Sequence, residues 1–392
     1  LTLTPSRDGV DGDEATTKYF VALPEPGDQK FWEAGDLVGA GSVAALGVLP
    51  DGLLVELGTF FVNDEPRCYL RRRQDGGSWF EEDFIEFLPD AHCEAIDMKI
   101  DPTLGTLHVL VRRKGGDGLR WWLGEIASWG KGVKNVGLGA VGDTAEAVAW
   151  KDGLVAVCGG RPVGNDLDAA AWLHRPNAPV ETLLFDFIKP NLGQHHFAET
   201  ARDCVFSGEV LVVVGEAFGK LEFADEKRNH RFVVEHDTVT DSDTWTVAGP
   251  GPGTQSRALA VDVDDQGRYL VAGFTCGDIC AADGELRIYK PGGQLDWQAP
   301  LGPLNSEFAG PHDIAWHPAG YMVVALADFD GNALRFKVQA YEPDSFVPKW
   351  TFFPDDMQGL QIALALAIGQ FGEVYAGGIG AGNFPAVAYI AG

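Results

Sequence analysis

An all-β fold is predicted for this chain: a β-propeller of seven four-stranded blades, its ring closed by the N-terminal segment. Three observations predict it. A tryptophan recurs about every fifty residues: Trp32, Trp79, Trp129, Trp245, Trp297 and Trp350 stand 47, 50, 116, 52 and 53 apart, and Leu184-Phe185 fills the place skipped in the long gap. Each period holds four short runs of period-2 or fully apolar pattern, separated by Gly, Pro and Asp turns, as blades do. Helical periodicity nowhere persists for three turns.

Within a unit the first strand is apolar and ends in a turn, as from Ala258 to Gly267 (ALAVDVDDQG). The second ends in small residues, as in Tyr269 to Gly273 (YLVAG). The third carries an aromatic, Tyr69, Trp121, Trp172, Phe232, Tyr289 or Tyr341, and the fourth carries the periodic Trp. First-plus-second pairs begin near residues 43, 95, 147, 197, 258, 313 and 361. The last unit has no Trp strand, whereas Lys18 to Trp32 reads as the end of a unit with no beginning, so the two complete one blade. Tyr19 and Tyr389 both fit a third strand, which leaves open which terminus supplies which strand. Residues 1–16 read as an acidic, flexible leader and 17–392 as a single propeller domain. Many small cores between blades accommodate a length beyond what one core supports.

The 392 residues include 30 basic and 57 acidic side chains, a formal net charge of −27. Such a charge argues against nucleic acid or an anionic membrane as partner. With 45% hydrophobic residues the chain is no disordered polymer. No run of 18 apolar residues is present, so no membrane insertion is expected. Residue 1 is Leu and no signal peptide is visible, as expected of a processed chain. Six cysteines permit three bridges: Cys276 and Cys280 form a small loop suited to a local disulfide, and the pairing of Cys68, Cys93, Cys158 and Cys204 stays open. Bridges imply an oxidising compartment, secreted or on the outer cell surface.

Residues 256–297, SRALAVDVDDQGRYLVAGFTCGD followed by GELRIYKPGGQLDW, carry a resemblance. Apolar strand, Asp-Gly turn, strand ending in Ala-Gly, Tyr strand and Trp in this order resemble the repeats of bacterial extracellular β-propellers of the SBBP or NHL-like type. The likeness is clear over 256–300, partial over 41–82 and 310–352, and degraded over 93–245. The resemblance implies a seven-bladed, often secreted propeller, and no single activity: members serve as binding platforms, and related propellers include lyases and hydrolases. No catalytic motif of that family is present to carry over.

The connections into the first strands are expected to ring one mouth of a central channel. They carry His92, Glu94, Asp143, Glu146, His195, His196, Glu199, Arg257, His312, Asp313 and Gln361. Imidazoles and carboxylates converging from several blades can bind Zn, Mn or Fe or move protons, and polar residues are also what any solvated channel shows. His196 and His312 are the metal candidates. Asp328, Asp330 and Asn332 resemble a calcium loop and equally a turn; Asp8 to Glu14 in the leader could also hold calcium. Asp262 to Asp265 reads as a turn. Arg71-Arg72-Arg73 reads as a solvated edge or salt-bridge site, and of the neighbours Trp121 and Trp122 one points away from its blade face, a candidate carbohydrate or peptide contact that reads more simply as buried under a neighbouring loop. Neither G-x-S-x-G nor a P-loop occurs.

The expected function is a secreted or cell-surface binding or scaffold protein, monomeric or surface-assembled, presenting the channel face to a protein or glycan, with calcium the one cofactor suggested. The alternative is a metal-assisted lyase or hydrolase acting on an extracellular polymer through His92, His195, His196, Glu199 and His312.

Overall fold

A computed structural model of the chain describes residues 2–3, 19–20, 29–33, 40–73, 79–87, 92–127, 129, 132–164, 166–185, 198–219, 228–248, 254–277, 282–304, 309–329, 333–354 and 361–390. These are all-β, in antiparallel sheets, with one 3-10 turn at Ala381–Asn383. Strand β1 (Thr2–Leu3) pairs with β2 (Tyr19–Phe20), so the leader contributes a short ladder; the rest of residues 1–16, with the Asp8 to Glu14 stretch, lies outside the described residues. Strand β3 (Gln29–Glu33) belongs to the last sheet, described below.

The first sheet is β4 (Gly41–Val48), β5 (Leu54–Val62), β6 (Glu65–Arg73) and β7 (Trp79–Phe87). The second is β8 (Cys93–Ile100), β9 (Leu107–Gly115), β10 (Gly118–Ile126) and β11 (Lys134–Leu138). A third group, β12 (Thr144–Lys151), β13 (Leu154–Val163), β14 (Asp166–His174) and β15 (Glu181–Phe185), joins a fourth, β16 (Ala198–Ser207), β17 (Val210–Gly219), β18 (Arg228–Asp237) and β19 (Ser242–Ala248), through the single parallel pair Leu167 and Ala198. The fifth is β20 (Thr254–Val263), β21 (Tyr269–Gly277), β22 (Ala282–Lys290) and β23 (Gln294–Leu304), and the sixth β24 (Gly310–Trp316), β25 (Met322–Phe329), β26 (Leu334–Tyr341) and β27 (Pro348–Phe352). The seventh has β28 (Ile362–Ile368), β29 (Val374–Ile379) and β30 (Pro385–Ile390), with β3 as its fourth strand. The termini therefore divide that sheet with Tyr389 on the third strand and Trp32 on the fourth, while Tyr19 pairs elsewhere.

Successive sheets bury their faces against each other. Trp122, Val109 and Met98 of the second sheet share a core with Leu57 and Leu70 of the first, and Trp121 shares another with Val148, Val157 and Trp172 of the third group. Val43, Leu46 and Leu54 of the first sheet pack with Ala365, Tyr375 and Val387 of the seventh. Because both faces of a sheet are covered, neither Trp121 nor Trp122 faces outward: they are 2% and 4% exposed, buried by the sheets on either side and not by a loop, and neither is a surface contact. The third-strand aromatics Tyr69, Trp172, Phe232, Tyr289 and Tyr341 are likewise buried. Trp297 and Trp350 stand on fourth strands at core margins, but Trp129 sits in a turn before β11, with the Arg72 guanidinium 4.5 Å over its ring. Arg71 is buried and β6 lies between β5 and β7, so Arg71 does not stand on a solvated edge.

Turn chemistry follows the sequence. Gly267 closes the first turn of the fifth sheet at φ +75, a conformation that disfavours a Cβ. Asp264 accepts the N–H groups of Gln266 and Arg268, as expected for a turn aspartate. Two disulfides join neighbouring sheets: Cys68 on β6 to Cys93 on β8, and Cys158 on β13 to Cys204 on β16, with Cα separations of 5.4 and 6.4 Å. Cys276 is buried on β21; its expected partner Cys280 lies outside the described residues.

Candidate functional site: where the first strands meet

The first strand of every sheet carries an irregularity at the same place. Pairing shifts between Val43 and Ala45, Ala95 and Asp97, Ala145 and Ala147, Ala201 and Asp203, Ala258 and Ala260, Pro311 and Asp313, and Ala363 and Ala365. A bulge inserts one unpaired residue and re-aims its side chain. Opposite it the fifth sheet has Gly273, where a Cβ would collide with the Arg257 carbonyl oxygen, which is why the second strand ends in small residues. The inserted residues include Glu146, Arg202 and His312.

Glu146 and Arg202 come from adjacent groups and meet, with Nη1 to Oε2 at 3.7 Å. Arg202 also donates to Glu216 Oε1 from Nη2 at 2.5 Å and from Nε at 3.1 Å, and Arg257 Nε contacts Glu216 Oε2 at 2.7 Å. The Arg257 guanidinium lies 5.5 Å from the Phe274 ring centre. A second cluster lies on β8 and β9: His92 Nε2 and Glu94 Oε1 are 3.0 Å apart, and Arg112 Nη1 donates to Glu94 Oε2 at 3.2 Å. Burial raises the Glu146 carboxyl, against the pull of Arg202 and Arg112. His312 is exposed at its surface, and the surrounding protein lowers its imidazolium to about 4, leaving it neutral near pH 7.

One residue after each bulge stands either Asp or Ala: Ala45, Asp97, Ala147, Asp203, Ala260, Asp313, Ala365. Each aspartate accepts two backbone N–H groups, one from its successor and one from the first strand of the next sheet. Asp97 takes Met98 and Val148, Asp203 takes Cys204 and Val261, and Asp313 takes Ile314 and Leu366, at 2.6 to 2.8 Å. Asp262, two residues further along its strand, takes the Trp316 N–H at 2.7 Å. Lys99 has its Nζ 3.9 Å from Asp97 and is held above the usual lysine range by Asp97 foremost, and by the charges of Asp203, Asp313 and Asp262. Enclosure by protein pushes Asp203 up to about 8 and Asp313 up to about 7, against Lys99 and the N–H donors, which favour the charged form.

Of the residues expected from sequence, Glu94, Glu146 and Arg257 join these networks. Asp313 serves as a tie between strands and not as a ligand group. Glu199 and Gln361 are buried, 2% and 3% exposed, and not at a solvated mouth; the Gln361 N–H donates to the Leu334 carbonyl, anchoring the entry to β28. Asp143 is buried and holds Arg161 through two bonds, from Nε at 3.1 Å and Nη2 at 2.8 Å. Asp328 lies in strand β25 and accepts from Lys337 Nζ at 3.2 Å, which corrects its reading as a calcium ligand in a turn. His195, His196, Asp330 and Asn332 lie outside the described residues. Among the described residues no three His, Cys, Asp or Glu side chains gather in a way that could hold a metal ion. Arg112, Arg202, Glu216 and Lys99 were missed in the sequence. A signal existed: a Glu in the apolar run VLVVVGEAF and an Arg between Ala201 and Asp203 both break the strand pattern.

No protein-family profile and no curated protein matches the chain. Among solved structures it is similar to a protein of unknown function from Dyadobacter fermentans DSM 18053, with a TM-score of 0.51 and 9% identity over 89% of this chain and 93% of that one. It is also similar to apo prolyl oligopeptidase B from Galerina marginata, with a TM-score of 0.55 and 13% identity over 90% of this chain and 49% of the other, so it spans about half of that enzyme. At these identities the likeness concerns the fold.

Proposed function

We propose that the chain is a seven-bladed β-propeller of the bacterial extracellular type that works as a secreted or cell-surface binding module. The ring is supported by the cores between successive sheets, one of which joins the seventh to the first, and by the completion of the seventh sheet by β3. Export to an oxidising compartment is supported by the two disulfides. The observation that carries the binding role is the Glu146–Arg202–Glu216–Arg257 network. It gathers Glu146, Arg202 and Arg257 from the first strands of three successive groups, with Glu216 at the end of the second strand β17 between them. The glutamates hold both guanidiniums in fixed positions, and each guanidinium keeps further N–H donors for a protein or glycan partner.

The test is retention of defined cell-surface polysaccharides and purified envelope proteins on the immobilised chain, compared with Arg202→Ala and Arg257→Ala. The reading expects a ligand held by the parent and weakened at least tenfold by either substitution. Identical retention by all three proteins overturns it. Elemental mass spectrometry after dialysis tests the enzymatic alternative: one equivalent of Zn, Mn or Fe, lost on His312→Ala, would support a metal-assisted lyase or hydrolase instead.

A further inference from the structure

A groove of about 450 Å³ lies between the second sheet and the third group, at the end of these strands away from Glu94 and Arg112. Its lining includes His108, Trp150, His174, Lys134, Asn135 and Asn177. The size suits a small ligand.

The cations around the groove are ion-paired within the protein, and its Asp101 carboxylate is held by backbone N–H groups. Lys134 Nζ donates to Glu125 at 3.3 Å, Arg175 Nη1 to Glu181 at 2.5 Å, and Asp101 accepts the N–H groups of Thr103 and Leu104. Among the described lining residues no unpaired cation is therefore left over for a phosphate or a carboxylate. The two imidazoles are also neutral near pH 7. Burial lowers His108 below the usual histidine range and takes His174 down to about 4. Each residue is 5% exposed, and His108 Nδ1 and His174 Nε2 have no hydrogen-bond partner in the protein. Trp150 is half-buried and lies nearly parallel to His108, with ring centres 6.4 Å apart and an angle of 22°. The groove thus offers the half-buried Trp150 ring and the exposed side-chain amides of Asn135 and Asn177. A ligand matching this set is uncharged, has one apolar ring face and carries hydroxyls at its edge.

We propose that this groove is a binding site for a neutral saccharide unit, a mono- or disaccharide segment of a glycan. It is separate from the arginine network and does not depend on it.

The test is calorimetric titration of the full chain with cellobiose, maltose, xylobiose and N,N′-diacetylchitobiose, with inorganic phosphate and glutamate as charged probes. At least one neutral disaccharide binds in the millimolar range or tighter, and Trp150→Leu and Asn177→Ala each weaken it at least fivefold. Phe371→Ala, at an exposed turn of the seventh sheet outside both sites, leaves it unchanged. Asn177 stands on an exposed turn, so that variant reads the groove even where Trp150→Leu disturbs folding. The proposal is overturned if none of the four disaccharides binds, if the charged probes bind more tightly, or if Asn177→Ala and a folded Trp150→Leu both bind like the parent.

Discussion

Asp203 on β16 accepts the backbone N–H of Val261 on β20 at 2.7 Å, so a side chain of one sheet closes a hydrogen bond belonging to the next. Its other oxygen takes the Cys204 N–H. Asp97 and Asp313 repeat this geometry two sheets before and after. Buried backbone donors left unpaired are costly, and the aspartates satisfy donors at the bulges, where the ladder is interrupted. Replacing Asp203 with Ala should lower the unfolding free energy by about 1–3 kcal/mol, the range for orphaned polar groups. Urea unfolding followed by tryptophan fluorescence measures it; an unchanged midpoint would show that water satisfies both N–H groups.

Lys99 is the cation that Asp97, Asp203, Asp262 and Asp313 share. Lys99→Met removes a cation that favours the charged forms of Asp203, Asp313 and Asp262, which raises their pKa values further. The variant should be less stable than the parent at pH 8.5, with the difference narrowing towards pH 6 as the carboxylates take up protons. A difference independent of pH would mean that the lysine acts through its aliphatic stem.

The disulfides are expected to matter for stability. They close 25 and 46 residues. In the chain-entropy account such loops are worth about 3.5 and about 4 kcal/mol. Peptide mapping under non-reducing conditions should recover Cys68 linked to Cys93 and Cys158 linked to Cys204. Paired Ser substitutions should each lower Tm by several degrees, with the fold retained by circular dichroism.

Acid sensitivity has two opposing sources. His174 titrates at about 4 in the folded chain and near 6.5 when unfolded. Its contribution is fully present above pH 6.5 and is lost as pH falls to 4, at most about 3 kcal/mol. Asp203 and Asp313 work the other way: the folded state holds their protons up to about pH 8 and pH 7, so their part of the stability falls as pH rises from 4 through those values. His174→Phe should therefore flatten the acid limb of Tm against pH and leave the alkaline limb in place.

Trp121 separates a packing role from a binding role. It is 2% exposed, with its ring 5.1 Å from that of Trp172. Trp121→Ala should cost about 3–5 kcal/mol through the cavity it leaves. A folded Trp121→Ala variant with unchanged stability but altered saccharide binding would contradict this assignment.

The sequence by itself determined the all-β class, the strand order within each unit and the place of the turns. Period-2 patterning, β-branched runs and turn residues such as Gly267 and Asp264 are local properties, and the recurring third-strand aromatics locate the cores because large apolar surface must leave water. It also indicated that residues before Trp32 would complete the last unit. The tertiary structure decided what depends on neighbours far along the chain. Trp122 is hidden because a sheet on each side covers β10, whereas alternation alone would turn one of two adjacent tryptophans outward. Cys68 finds Cys93, and Cys158 finds Cys204, because the strands carrying them are packed side by side. Glu146 meets Arg202 because a bulge shifts each strand by one residue. A pleat period read from sequence assumes unbroken pairing, and a one-residue slip reverses which face a side chain takes. The inserted residue at that slip is Arg202, which lay outside the expected ring and stands in the network with Glu146 and Glu216, while Glu199 and Gln361, which precede the bulges of β16 and β28, are buried.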